Sequence, residues 1–431
     1  MSARSVPHNA RVRGWLATLW GDANFLKLWS GQTISLLGTQ VTQLALPLAA
    51  VLTLGATPLQ MGILRAAPWL PALAIGIFAG VWVDRVPRRP LLIVADLGRA
   101  VLLASVPVAA VLGRLGLEHL YLVTLLVGGL DTIFRVAYQA FLPALVGRQS
   151  LVDANARLVM GESVARVVGP GVGGTLIQIF TAPVAIAIDA ISYLVSAVLV
   201  GSMRTREPPP AQAGRTGVWS EIGQGLGVTA HTPLLRASTL WSATFNIAAA
   251  GIGDSVFLLY VTRELRVEPA VLGLIFAAGG LAAVSGSAIA GRLSRALGVG
   301  PTLIAASLLL SSGGALVLVT GSAVPIVAAL LGARAVVRGL GLAVALVTGA
   351  SLVQAAAPGP VLGRVVATQQ ALFLGLIPLG ALAGGWLGES VGLWPALLVS
   401  VVGENLAVAW LVWSPVRALR SFPEPLERPG C

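Results

Sequence analysis

Charged side chains stand inside long apolar stretches of this chain, several of them one helical turn from a side chain of opposite sign. Asp96 precedes Arg99 at i,i+3, while Asp131 precedes Arg135 and Glu162 precedes Arg166 at i,i+4. On a helix these spacings put each pair on one face, within reach of an ion pair. Charge at membrane depth is expensive and marks an ion or substrate pathway unless it is neutralised locally. For Asp96 and Arg99, local neutralisation is the favoured reading. For Asp131 and Arg135 it competes evenly with a functional role such as proton coupling, in which a carboxylate exchanges partners as it gains and loses a proton, and Glu162 and Arg166 are candidates for the same coupling.

Arg334 and Arg338 are one turn apart with no acid one turn away. An anionic substrate group or a carboxylate from another helix must satisfy them, and Asp131 and Asp254 are candidate partners. Arg65 is also alone in its stretch and is expected to face Asp96 or Asp131. Gln32, Ser35, Thr39 and Gln43 fall mainly on one helix face, and Trp241, Phe245, Asn246 and Asp254 share a later stretch. All are candidates for lining a substrate cavity; the Gln and Thr side chains are equally suited to hydrogen bonding between helices.

The elements that carry these residues must be membrane spans. Of 431 residues, 56% are hydrophobic and 10% charged, against roughly a quarter charged in a soluble domain. A helix needs about 20 apolar residues to cross a bilayer, and hydropathy gives twelve candidates near 25–55, 58–82, 90–113, 118–144, 156–179, 182–203, 235–261, 269–291, 299–320, 323–353, 362–388 and 393–414. The polar interval 204–234 contains Pro208, Pro209 and Pro210 and divides the spans six and six. The expected organisation is an N-terminal segment 1–24, a six-helix bundle 25–203, a central loop 204–234, a second bundle 235–416 and a tail 417–431.

With the N-terminus inside, the outer loops hold only Arg114, Arg263 and Arg266. Arginine concentrated on one side predicts both termini in the cytoplasm and a multi-pass protein of the cell (inner) membrane. Residues 1–24 lack an apolar core, so the first helix is expected to insert without cleavage. The net charge of +11 is spread along the chain rather than gathered into an arm, which argues against nucleic acid. Lys27 is the only lysine and follows Leu26, so no phosphate-binding Gly-Lys-Ser/Thr sequence exists and ATP is not an expected partner. Cys431 is the only cysteine, and His8, His119 and His231 are scattered, so no metal site or cofactor is expected.

The two halves resemble each other. A shift of 211 residues lays Pro58 on Pro269, Gly62 on Gly273 and Ala79-Gly80 on Ala290-Gly291; a shift of 207 lays Arg157 on Arg364. Such a parallel repeat belongs to two-bundle secondary transporters, whose substrate site lies at the repeat interface.

Between the second and third spans runs Gly80-Val-Trp-Val-Asp84-Arg85-Val86-Pro87-Arg88-Arg89. Gly80 permits close helix approach, and Asp84 at a helix end can pair with the arginines. This segment resembles the signature loop of the major facilitator superfamily, a conformational switch, with Pro87 where the family has glycine. The second copy, Gly291-Arg292-Leu293-Ser294-Arg295, lacks the acid. Leu151-Val-Asp-Ala-Asn155, Ala165-Arg166-Val-Val-Gly169-Pro170-Gly171-Val-Gly173-Gly174, Asp189-Ala-Ile-Ser192-Tyr193 and Gly363-Arg364-Val365 resemble the branch with enterobactin exporters and macrolide efflux proteins.

The resemblance implies an all-α membrane protein with twelve transmembrane helices in two pseudo-symmetric six-helix bundles. The first, fourth, seventh and tenth spans would line the cavity. Gly169, Pro170, Gly171, Gly173 and Gly174 resemble the bending motif of the family's antiporters; small residues that merely pack helices are an equal alternative. The implied function is export of a small, partly apolar organic molecule of drug, secondary-metabolite or siderophore class by proton antiport, by a monomer in the bilayer without cofactor. An uptake permease is the same-class alternative. A membrane-embedded enzyme or lipid-handling protein is the different-class one, and no Gly-x-Ser-x-Gly elbow supports it.

Overall fold

The computed structural model describes residues 21–73, 86–204, 218–318 and 324–423. Helix starts follow local chemistry. Asp22 caps α1 (Ala23–Leu48), its Oδ1 accepting from the N–H groups of Asn24 and Phe25 at 2.8 and 3.3 Å. Thr57 and Gln60 cap α2 (Pro58–Ala66) reciprocally, with Pro58 in the first turn, where its missing N–H is harmless. α3 (Arg88–Val111), α4 (Leu117–Val146), α5 (Leu151–Ile179) and α6 (Ala182–Gly201) complete the N-terminal bundle.

The short α7 (Val218–His231) precedes the second bundle. α8 runs from Pro233 to Glu264 through π-helical segments at Asn246–Gly253 and Tyr260–Glu264. α9 (Pro269–Leu297), α10 (Val299–Ala315), α11 (Val324–Ala356), α12 (Leu362–Ser390) and α13 (Leu393–Val412) follow. Nine of the described helices are long and apolar enough to cross a membrane; with α5, α10 and the shorter α2 they fall into two bundles, α1–α6 and α8–α13. Outward-facing residues such as Val101, Val198, Leu274 and Leu406 are exposed, as a lipid-facing surface requires.

Reversal at every turn defines two faces. One carries the described chain ends and α7 and is called here the terminal face; the other, the loop face, carries the short turns 54–57 and 265–268. On the terminal face Arg89 donates to the carbonyls of Val200 and Gly201 (3.1 and 2.5 Å), placing a cation on the exposed end of α6. α7 rests on α12: a Cβ on Gly225 would lie 2.5 Å from the Arg364 carbonyl, and Arg364 donates to Gln224 at 2.6 Å. Of the switch-loop candidates, Gly80, Asp84 and Arg85 lie outside the described residues; Arg88 and Arg89 open α3.

Deep in each bundle an arginine ties neighbouring helices together. In the first, Arg99 on α3 pairs with Asp96 and with Asp131 on α4, between the rings of Phe134 and Tyr193 at 4.4 and 4.2 Å. In the second, Arg338 on α11 donates to Glu404 on α13 at 2.5 Å and to the Leu310 carbonyl on α10 at 3.1 Å. Gly314 leaves the room: a Cβ there would lie 3.1 Å from Arg338 Nη1 and 3.2 Å from Glu404 Oε2.

The bundles meet through α2 with α12 and α5 with α9, and the contact is tightest near the loop face. A Cβ on Gly62 would lie 2.5 Å from the Ala381 carbonyl and 3.0 Å from the Gly385 Cα. The second seam repeats this with Gly174 against Gly273 and the Pro269 carbonyl. Under the 211-residue shift Gly62 corresponds to Gly273 and Gly174 to Gly385, so the seams are two copies of one contact. The π-helical turns follow the same shift, Ala49–Thr53 ending α1 and Tyr260–Glu264 ending α8.

Candidate functional site

Between the bundles lies a cavity of about 1120 Å³. On α1 it is lined by Gln40, Gln43, Leu44 and Pro47; from α2 come Met61 and Arg65, and from α5 Ser163, Arg166 and Pro170. The C-terminal bundle supplies the larger share, from α8, α9, α11 and α12. Lining residues reach Ser238, Gln354 and Val366, near the terminal-face ends of α8, α11 and α12, whereas the glycine seams close the loop-face side.

Polar bonds between bundles reinforce that closure. Arg65 on α2 pairs with Asp254 on α8 at 2.9 Å, both side chains being partly exposed because they face the cavity. Nearer the loop face, Arg263 donates to the Ala56 carbonyl at 2.7 Å, the Leu59 N–H to Glu389 at 3.2 Å and Gln178 to Glu268 at 3.4 Å. Asp254 follows directly on the π-helical segment Asn246–Gly253, where the regular hydrogen-bond ladder is displaced. Ser400 serves one carbonyl there, donating to Ala248 at 2.8 Å, and Asn246 donates to Ser242 O at 2.7 Å.

The aromatic wall begins at Trp241 and Phe245, stacked at 6.1 Å and 24°, and continues to Phe257 and Phe276 at 6.3 Å. Arg334 lies over Phe257, its guanidinium carbon 4.2 Å from the ring centroid. At the wall of α5, Arg166 donates through Nε and Nη2 to Glu162 Oε1 at 3.0 and 2.6 Å.

Several expectations are corrected. Asp131 pairs with Arg99 across α3 and α4 rather than with Arg135, which is exposed on its own face of α4. Arg65 faces Asp254 of the other bundle, not Asp96 or Asp131. Neither Asp131 nor Asp254 serves Arg338, whose partner is Glu404. α4 contributes nothing to the cavity wall, and Asp131 is therefore not on it. Gln32, Ser35 and Thr39 also lie off it: Ser35 is buried, and Thr39 bonds to the Tyr193 hydroxyl at 2.9 Å inside the N-terminal bundle. Gln43, Trp241, Phe245, Asn246, Asp254, Arg334 and Arg338 all line the cavity.

The Gly-Pro segment of α5 sits inside an unbroken helix. Gly169 accommodates Gln40 of α1, Gly173 accommodates Val41 with a would-be Cβ 3.1 Å from its Cα, and Gly174 meets α9. Gly171 has only Ala277 Cβ at 3.8 Å. Residues missed in the sequence include Gln40 and Glu404. A glutamine three residues before Gln43 and an acid inside the last span were visible signals. Among the described residues no three His, Cys, Asp or Glu side chains converge as a metal site would need.

Residues 16–426 match the family described as transmembrane secretion effector. Over 272 residues the chain is 27% identical to the uncharacterized MFS-type transporter YfiS of Bacillus subtilis, spanning 62% of this chain and 63% of that protein. It is 28% identical over 397 residues to the multidrug efflux pump Tap of Mycolicibacterium fortuitum, covering 86% of this chain and 92% of Tap. It is 24% identical to the enterobactin exporter EntS of Escherichia coli over 59% of this chain and 62% of EntS. Among solved structures, the nucleoside transporter NupG superposes with a TM-score of 0.70 at 14% identity, over 90% of this chain and 97% of that one. A bacterial homologue of ferroportin in its inward-facing state does so with 0.70 at 16% identity, over 90% and 98%.

Proposed function

Because the chain belongs to the transmembrane secretion effector family of major facilitator transporters, we propose that it exports a small, partly apolar organic molecule by proton antiport with alternating access. The observation that carries this reading is the cavity between two pseudo-symmetric bundles, reaching one face and sealed toward the other by repeated glycine seams and four cross-bundle polar bonds. The arginine bias of the terminal face supports a cytoplasmic position for it, so the cavity takes its cargo from the cell interior or the inner leaflet. The efflux relatives, Tap over most of the chain and EntS over part of it, support the outward direction.

Proton coupling needs a carboxylate whose ion pair changes between the two states. Three pairs offer one. Arg65 with Asp254 crosses the bundle interface and must part when the loop face opens; Glu162 with Arg166 borders the cavity; Asp131 shares Arg99 with Asp96 inside the N-terminal bundle. Protonating Asp254 would weaken the bond between bundles and so favour the state open on the loop face.

The test is efflux of a panel of lipophilic dyes, antibiotics and siderophore-like compounds from cells making the protein, with and without a protonophore. Outward flux that the protonophore abolishes, and that Asp254→Asn or Glu162→Gln uncouples from the gradient, is the expected result. Net inward flux would make the protein an uptake permease instead.

A further inference from the structure

The charged side chains on the cavity wall balance in pairs, with one exception. Arg65 holds Asp254, Arg166 holds Glu162 and Arg338 holds Glu404. Arg334 has no hydrogen-bond or ion-pair partner among the described residues: its guanidinium stacks on Phe257 and its Nε is buried with nothing to donate to. The wall therefore carries one uncompensated positive charge, one turn from a second arginine that is already neutralised. A desolvated cation without a counter-ion is costly, and stacking on phenylalanine offsets only part of that cost. What completes such a site is an anion that arrives with its own charge, and a planar guanidinium favours an oxygen pair lying in its plane.

The surroundings define the rest of that molecule. Met61, Phe257 and Phe276 are on the cavity wall, and Phe245 lies twelve residues back along α8, across the π-helical segment Asn246–Gly253. Resting on the reading of this cavity as the substrate site, we infer that the substrate is an organic anion, with a carboxylate, phenolate or sulfonate group seated on Arg334 and a ring-bearing apolar body along the aromatic wall. An organic cation of the same size would meet the uncompensated guanidinium and be repelled.

Two dyes built on the same xanthene core test this: fluorescein, an anion, and rhodamine 6G, a larger and more apolar cation. Equilibrium binding of each to the purified full-length protein is measured, separately from flux in cells. The wild type is expected to bind fluorescein at least about tenfold more tightly than rhodamine 6G. Arg334→Gln is expected to remove that preference and Arg334→Lys to keep part of it, with both variants checked for monodisperse elution. No preference in the wild type, or no binding of either dye, overturns the inference, and these outcomes need no variant to fold. A preference unchanged in Arg334→Gln overturns it too, and would point to Arg334 as an intramolecular partner for Asp254 once Arg65 lets go. The export reading fails separately, on the direction of flux, whichever dye binds.

Discussion

Arg338 and Glu404 show how an ion pair in apolar surroundings ties helices that local propensity cannot bring together. Their side chains are 17% and 4% exposed, so truncating one strands a charge away from water. Loss of one partner of such a pair typically costs about 3–5 kcal/mol, while replacing both with apolar groups of similar volume is near neutral. Glu404→Ala is expected to lower the melting temperature of the purified protein markedly, and Arg338→Met with Glu404→Met to recover most of the loss. Equal melting of the single and double variants would sink this account. The more exposed Arg65–Asp254 pair is worth at most about 1 kcal/mol, so Asp254→Asn should melt like the wild type. It should shift the conformational equilibrium up to about fivefold toward separation at the loop face, read as longer distances between spin labels at Leu52 and Arg266. Pairs within one helix, Asp96 with Arg99 and Glu162 with Arg166, were legible because helix geometry alone dictates them. Partners on different helices were not, because they depend on how helices rotate against one another. The sequence therefore pointed Asp131 at Arg135, and only packing turned it to Arg99.

Glycine in α5 and its repeat partners separates two roles that one motif conflates. Gly174 and Gly385 are seam residues with backbone of the opposite bundle where a methyl would go, whereas a Cβ on Gly171 would meet only the Ala277 Cβ at an ordinary contact distance of 3.8 Å. If the motif works by close packing, Gly174→Ala and Gly385→Ala should each prise the loop-face seam apart and reduce transport at least about tenfold. Gly171→Ala should be harmless, even slightly stabilising, since alanine is favoured over glycine in a helix by about 1 kcal/mol. Should Gly171→Ala abolish transport with the protein intact in the membrane, flexibility at the proline is what the motif supplies. The repeat itself was legible: Pro58 with Pro269 and Gly62 with Gly273 mark the first turns of the two seam helices. The π-helical turns at Ala49–Thr53 and Tyr260–Glu264 were not, although they obey the same shift, because Ala-Ala-Val-Leu-Thr and Tyr-Val-Thr-Arg-Glu share no residue at corresponding positions and the extra residue per turn is imposed by packing. The cavity helices were only partly legible. α1, α8 and α11 line it as the resemblance implied, but α4 is withdrawn, and α2, α5, α9 and α12 take much of the wall.

For the whole molecule, the two-copy construction constrains what the other conformation must be. The seams run antiparallel: along α5 and α9, Gly174 meets Gly273 and, two turns on, the Arg166 carbonyl lies 2.8 Å from where a Cβ on Gly280 would be. One further turn in the same register sets Ser163 opposite Val284, both on the cavity wall at the end of the seam away from Gly174 and Gly273. Rocking the bundles about the middle of the seam would open the glycine end and bring Ser163 and Val284 together, converting a cavity on the terminal face into one on the loop face. Cysteines at these two positions, on a background in which Cys431→Ser removes the native thiol, are therefore expected to cross-link slowly at rest. They should link several-fold faster when substrate and gradient drive cycling, and the cross-linked protein should not transport. Asp254→Asn, by weakening the opposite seal, should raise the resting rate as well. Fast cross-linking at rest that neither substrate nor Asp254→Asn changes would mean that these helices do not part and rejoin about this seam, and rigid-body rocking would have to give way to local bending of α5 at Pro170.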